Sequence, residues 1–407
     1  MAVAKIGDST YDTLAEAVTA ANAIDNGATI ELISDIALGQ KLTVTKNITI
    51  VGEYTINRTT SYVGTLFTVN SGKTLTLDGG LVFDCCNNWT IDMDRYNSAL
   101  MTGERVSDVY VFLTPADGGV VATARVFSVA GTLNLNNVTI KNHYSTNQGL
   151  IATSNGATIN LNGCHITHCA SAKGSGLIVD ASGSSIRVNI NDGTLIDANF
   201  AGNNHGLFKM YSGAVTTMNG GTIQNTTGCN ANGVVIGLYG TGSTFIMNGG
   251  VITNNSAAAG ASNSRNASIY VHRNATLIMN DGLISYNTGY GSGGIDAPYT
   301  TAGSASTVTI NGGSIVHNVS IAGQDYADIR GSTQITITGG TFTQDVSQWC
   351  ADDFGAVLLP DGTWCVKTTL FQAYVCVDGA IYKADMYTCM NGIIYKVDGI
   401  QSRLDLN

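Results

Sequence analysis

The feature that most constrains this chain is a short unit written over and over. FIMNGGVITN recurs as LTLDGGLVFD, LNLNNVTIKN, INLNGCHITH, VNINDGTLID, TTMNGGTIQN, LIMNDGLISY, VTINGGSIVH and ITITGGTFTQ. Aligned on the residue before the turn, the anchors are Asp78, Asn136, Asn162, Asn191, Asn219, Asn248, Asn280, Asn311 and Thr338. Their spacings are 58, 26, 29, 28, 29, 32, 31 and 27 residues, one double gap in an otherwise regular series. A repeat of this length has to be read before any other feature of the fold.

Each column of the repeat has a physical meaning. Apolar residues stand three and one before the anchor, as in Leu133 and Leu135 or Phe245 and Met247, with the single exception of Thr216. Residues two apart share one face of a strand. The Asn-Gly or Gly-Gly step bends the chain, because glycine accepts backbone angles that other residues avoid. Four residues past the anchor an apolar side chain is expected to point inward again: Val82, Ile140, Ile166, Leu195, Ile223, Ile252, Ile284, Ile315 and Phe342. A further short strand follows, as in GLIAT, GLIVD, GLFKM, GVVIG and ASIYV. One such unit cannot close a core; stacked on its neighbours it can. The expected fold class is therefore all-β, a parallel β-helix of about ten rungs, and at roughly 4.8 Å per strand it makes a rod about 50 Å long. The repeat resembles right-handed parallel β-helix proteins of the pectin-lyase-like architecture over about residues 30–345.

We divide the chain into an N-terminal cap (1–50), the β-helix (51–345) with an insertion at about 85–122, and a C-terminal β module (346–407). In the cap, Leu14, Ala17, Val18 and Ala21 share a helical face, and Thr13 with Glu16 forms a capping box. In the C-terminal part, YVCVDGAIYK and YTCMNGIIYK are a duplicated hairpin signal. Cys376 and Cys389 hold equivalent places in it and are a candidate disulfide pair. Cys164 and Cys169 are expected to pack as small apolar residues. The segment ITGGTFTQDVSQWCADDFGAVLLPDGTWCV resembles the closing segment of repetitive β-helix surface proteins of gut bacteria and their phages.

Charge excludes some functions. The chain of 407 residues carries net −10, with charged residues only 12% of the total. That argues against nucleic acid and against docking on an anionic membrane, both of which need Lys and Arg. No segment is apolar enough to insert in a bilayer. MAVAKIGDSTYDTLAEAV lacks the apolar core of a signal peptide. The motifs of pectin-degrading hydrolases, Asn-Thr-Asp, a mid-helix Asp-Asp and Gly-His-Gly, do not occur, nor does the arginine motif of pectate lyases. No cofactor and no metal set is implied, and the histidines are scattered.

Two features remain for function. Six residues past the anchors stand Asp84, Asn142, His168, Asp197, Asn225, Asn254, Tyr286, His317 and Gln344, a column that is either a binding strip or a hydrogen-bonded ladder at a turn. The double gap holds an insertion dense in aromatic and charged residues. Trp89, Asp92, Asp94, Arg95, Tyr96, Glu104 and Tyr110 are the candidate glycan-binding residues, with Asp108 beside them, because sugar sites combine aromatic faces with acids and arginine. The same stretch could instead be a flap packed on the helix or on a neighbouring subunit. A second candidate lies at 256–266 and 288–306, with Tyr290, Asp296 and Tyr299. The expectation is a non-enzymatic β-helix on a virion or extracellular surface, a phage appendage or decoration protein contacting host-surface polysaccharide. The alternatives are a secreted or wall-associated bacterial adhesin, and a glycan-depolymerising spike with Asp92, Asp94 and Glu104 as its acids. The resemblance implies a homotrimer or other virion proteins as protein partners.

Overall fold

The structure, a computed structural model, describes residues 1–397 except 105, 107–108, 116–124, 174–175, 204–205, 230–232, 259–266, 299–304, 324–326, 332–333, 378–379 and 391–392, with side chains as far as Thr369. It is a parallel β-solenoid. A full coil runs through four short strands, as in Phe127–Val129, Thr132–Asn136, Thr139–Lys141 and Tyr144–Ser145, and the next coil repeats them one strand spacing along the axis. Coil on coil, these strands build four sheets. The first and second have thirteen strands each, the third ten and the fourth seven. The first sheet carries the anchors, the second follows the Gly turn, and the third holds the strands GLIAT to ASIYV.

The inward columns form one continuous core from Ala4 to Val366. Phe67 and Phe127 stack within it at 5.7 Å, and Phe83 lies 5.8 Å from both. Two inward positions differ from expectation. Val82 and Leu195 are half-buried, and Phe83 and Ile196 fill the core in register with Ile140 and Ile166. The turns after Asp78 and Asn191 are one residue longer than in the other coils. A shift of one residue turns every following side chain to the opposite face of the strand.

The ends are closed by different chemistry. Helix α1 (Leu14–Ala23) carries the reciprocal Thr13–Glu16 capping box and buries Leu14, Ala17, Val18 and Ala21. The antiparallel pair Ala4–Ile6 and Ser9–Tyr11 terminates the first sheet. Parallel stacking begins at Ala28, where Ala28–Leu32 pairs with Ile48–Val51, inside the stretch assigned to the cap. At the other end Trp364–Thr368 and Phe354–Leu358 add antiparallel to the second sheet. A separate antiparallel sheet of three strands follows, Leu370–Val377, Ala380–Met390 and Ile393–Val397. Its register pairs Cys376 with Ile381 and Cys389 with Ile394. The sulfurs of the proposed pair lie outside the described residues. Cys164 and Cys169 are fully buried free thiols.

Polar ladders run along the rod. The anchors form an unbroken row, in which each amide of Asn136, Asn162, Asn191, Asn219, Asn248, Asn280 and Asn311 donates to the anchor of the preceding coil at 2.6–3.2 Å. The column six past the anchor behaves differently. Asn142, His168, Asn225, Asn254, Tyr286 and His317 take positive φ between 50° and 57°, so the column marks a left-handed corner. Its side chains make scattered contacts and no continuous row, such as Asn142 with Asp84, Asn225 with Asp197 and the Tyr286–His317 stack. The buried ladder lies one residue further on. Asn255, Asn287 and Asn318 each accept a backbone N–H from the coil before and donate to its inner carbonyl, Ile223, Ile252 or Ile284. Asn199 repeats the pattern on Cys169 and Ile166.

His143 occupies the same column near its N-terminal end. It is fully buried, its Nε2 donates to the Gln148 carbonyl, and its pKa is lowered to about 3 by burial and then by Arg58. The folded pKa lies below the unfolded value of 6.5, so the unfolded chain takes the proton first. Stability should therefore fall with pH through the window from 6.5 to about 3, at up to about 1.4 kcal/mol per unit. Urea midpoints across that window for the native chain and His143→Asn should show the extra slope in the native chain alone.

One glycine turn shows why the repeat is written as it is. Gly250 has φ +87°, and a Cβ there would meet the Gly220 carbonyl of the coil below at 2.8 Å. Gly250→Ala should lower stability by about 1–3 kcal/mol, read as a shift of the denaturant midpoint.

Candidate functional site

The insertion leaves the solenoid after Val82–Asp84 and rejoins it at Phe127–Val129. It contains an antiparallel pair, Trp89–Ile91 with Leu113–Pro115, and helix α2 (Met93–Thr102). Asp92 is the N-cap and accepts the Arg95 N–H at 2.9 Å; Asp94 lies in the first turn, and Gly103 ends the helix in the left-handed conformation. Tyr96, Ala99 and Leu100, spaced three and four apart, are its buried face.

That face sits on the outside of the fourth sheet. Small side chains there, Ala170, Ala172, Cys229 and Ala258, leave a shallow seat, and Phe200 fills its middle. The Trp89 indole stacks on His168 at 4.4 Å and 9°, and its Nε1 donates to the His168 carbonyl at 2.9 Å. The Tyr96 hydroxyl lies 3.0 Å from the Gly228 carbonyl and 2.9 Å from that of Ser256, and burial pushes its pKa up. At the far end Gly103 abuts the ring of Tyr290. The insertion is a flap strapped along several successive coils.

This corrects part of the expected glycan site. Trp89 (5% exposed) and Tyr96 (0%) are anchors of the flap, and their ring faces are closed to sugar. The structure does gather three of the charged members, Asp92, Arg95 and Glu104. Arg95 forms a two-pronged ion pair with Glu104 and lies over the Phe112 ring, with Asp92 nearby. Tyr110 is exposed on the same flap. Asp108 lies outside the described residues. Arg95 holds the Glu104 carboxyl below the ordinary range. A glycosidase acid needs the opposite, a carboxyl kept protonated by its surroundings. The second candidate set also resolves into structure: Asp296 is fully buried and paired with Arg330 at 3.0 Å (Nε to Oδ1), and Tyr290 packs on the flap. Tyr299 lies outside the described residues.

A strip on the outer face of the third sheet was not foreseen. Stacking of coils aligns Asp180, Lys209, Gly237, Tyr270, Asp296 and Arg330 in one outward column, and Tyr211 with Tyr239 beside it. Tyr211 and Tyr239 stack at 5.6 Å, Tyr239 and Tyr270 approach to 5.8 Å, and Tyr270 stacks on His272 at 5.3 Å. Gly237 leaves the room over which the Tyr239 ring lies. Lys209 Nζ sits 3.6 Å from Asp180 and 5.2 Å from the Tyr211 ring centre. Arg125 approaches the other oxygen of Asp180 at 3.9 Å. Burial pushes the Tyr211 phenol up, against the pull of Arg273. Asp180, Tyr239, Tyr270 and Asp296 are buried, whereas Tyr211 and His272 are half-exposed and Arg273 is exposed, so the strip reaches solvent at these last three. The available signal was an acid, a lysine and a tyrosine at alternating positions of otherwise apolar strands.

Among the described residues no group of three or more His, Cys, Asp or Glu side chains is placed to hold a metal ion, and no helix is long and apolar enough to cross a membrane. No family model matches this chain, and neither does any curated protein.

Proposed function

We propose that this chain is a non-enzymatic β-solenoid of the pectin-lyase-like architecture, displayed on a phage particle, where it contacts host-surface glycans. The observation that carries the reading is the solvent-reaching part of the third-sheet strip, in which the half-exposed rings of Tyr211 and His272, backed by the buried rings of Tyr239 and Tyr270, lie beside side chains of both charges. Rings supply flat apolar faces for sugar, and the charged groups supply hydrogen bonds to hydroxyls. The acids in reach of it hold structural roles: Asp180 sits between Arg125 and Lys209, and Asp296 is neutralised by Arg330. The phage setting rests on the resemblance of the closing segment to β-helix surface proteins of gut bacteria and their phages.

The test is a glycan array run with a reducing-end assay, on the native chain and on Tyr211→Ala. Binding without new reducing ends, weakened in the variant, supports the reading. Release of reducing ends would make the protein an enzyme, and unchanged binding by Tyr211→Ala would move the site elsewhere.

A further inference from the structure

The charges of the strip identify the kind of glycan. Around Tyr211 two cations, Arg125 and Lys209, face one carboxylate, Asp180, and a third, the exposed Arg273, follows His272 at the end of the ring stack. Arg125 and Lys209 share that carboxylate from 3.9 and 3.6 Å, and the charge of Arg273 is felt at Tyr211. The Arg125 Nε is buried and meets no acceptor. The Asp296–Arg330 pair further along cancels within itself. A local excess of positive charge thus stands on a protein whose net charge is −10. Elsewhere an acidic polymer would be repelled; here it meets donors with geometry suited to oxyanions.

Resting on the glycan reading above, we infer that the Arg125–Lys209–Arg273 patch binds an anionic polysaccharide, its carboxylate or phosphate groups paired with these three side chains and its sugar rings against Tyr211. No bridging metal is needed, because the cations belong to the protein.

Titration of the purified full chain with alginate oligosaccharides, a poly(glycerol phosphate) and neutral dextran, followed by calorimetry, tests this. Binding of one or both acidic polymers at least about tenfold tighter than dextran is expected, the equivalent of one charge-assisted contact. Which acidic polymer binds distinguishes carboxylate from phosphate recognition. Affinity should survive chelator and collapse near 1 M salt, where screening acts within about 3 Å. Lys209→Gln and Arg273→Asn should each weaken it about tenfold. Asparagine is chosen for position 273 because the backbone there has φ 57°, which it tolerates, and unchanged melting of both variants shows that they are folded. Dextran bound as tightly as the acidic polymers, or variants with unchanged affinity, would overturn the charge assignment and leave the glycan reading standing. No binding of any of these polymers together with a blank glycan array would overturn both.

Discussion

Tyr96→Ala frees the flap while the solenoid beneath it stays folded. The side chain is fully buried, and its hydroxyl meets the carbonyls of Gly228 and Ser256 on two neighbouring coils. Truncating a buried aromatic costs about 3–5 kcal/mol. The loss falls on a unit with its own small core, walled by Trp89, Leu100, Phe112 and Phe200, and separate from the core inside the coils. Hydrogen exchange should therefore show amides of α2 opening in the variant while those of Thr132–Asn136 and Thr158–Asn162 stay protected. Tyr96→Phe keeps the ring and loses only the hydroxyl, with a cost of about 1–3 kcal/mol from the groups it leaves unpaired. If α2 stays protected in Tyr96→Ala, Tyr96 does not anchor the flap.

The second large effect lies inside the rod. Asn287 is fully buried, accepts the Asn255 N–H at 3.0 Å and donates to the Ile252 carbonyl and to Asn318, each at 3.0 Å. Asn287→Ala strands at least the Asn255 N–H and the Ile252 carbonyl away from water. At about 1–3 kcal/mol for each unsatisfied group, the loss is about 2–6 kcal/mol. The exposed row gives the control. Asn248→Ala removes comparable bonds, to Asn219 and from Asn280, where water can replace them, and should cost about 1 kcal/mol or less. Denaturant midpoints of the two variants should separate accordingly; equal losses would mean that the buried ladder is not what holds the coils in register.

The contrast between these positions also explains what could be read from the sequence. The inward columns were legible because a strand alternates with period two and the units repeat at nearly constant length. Where a turn gained one residue, at Asp78 and Asn191, counting from the anchor landed on Val82 and Leu195 instead of Phe83 and Ile196. The insertion announced itself as a double gap. Its anchors did not, because the seat for Trp89 and Tyr96 is made by Ala170, Ala172, Cys229 and Ala258 on strands of three or four residues, too short to show a pattern. The charged strip was invisible for a related reason. Asp180, Lys209 and Tyr270 are far apart along the chain and become neighbours only when coils stack.

The exposed amide row also has a direction, which the buried row lacks. In the exposed row every side-chain N–H points toward the N-terminal end, and the last acceptor there is the carboxylate of Asp78. In the buried row each amide of Asn255, Asn287 and Asn318 donates both ways, to the inner carbonyl of the preceding coil and toward the C-terminal end, where the last acceptor is the carboxylate of Asp328. The exposed row is thus a string of aligned dipoles with an anion at its positive tip, the arrangement an acidic cap gives a helix. Adding a coil between Asp78 and Asn311 lengthens that string under the same terminating charge. Adding one before Asp78 would leave the string to begin again without it.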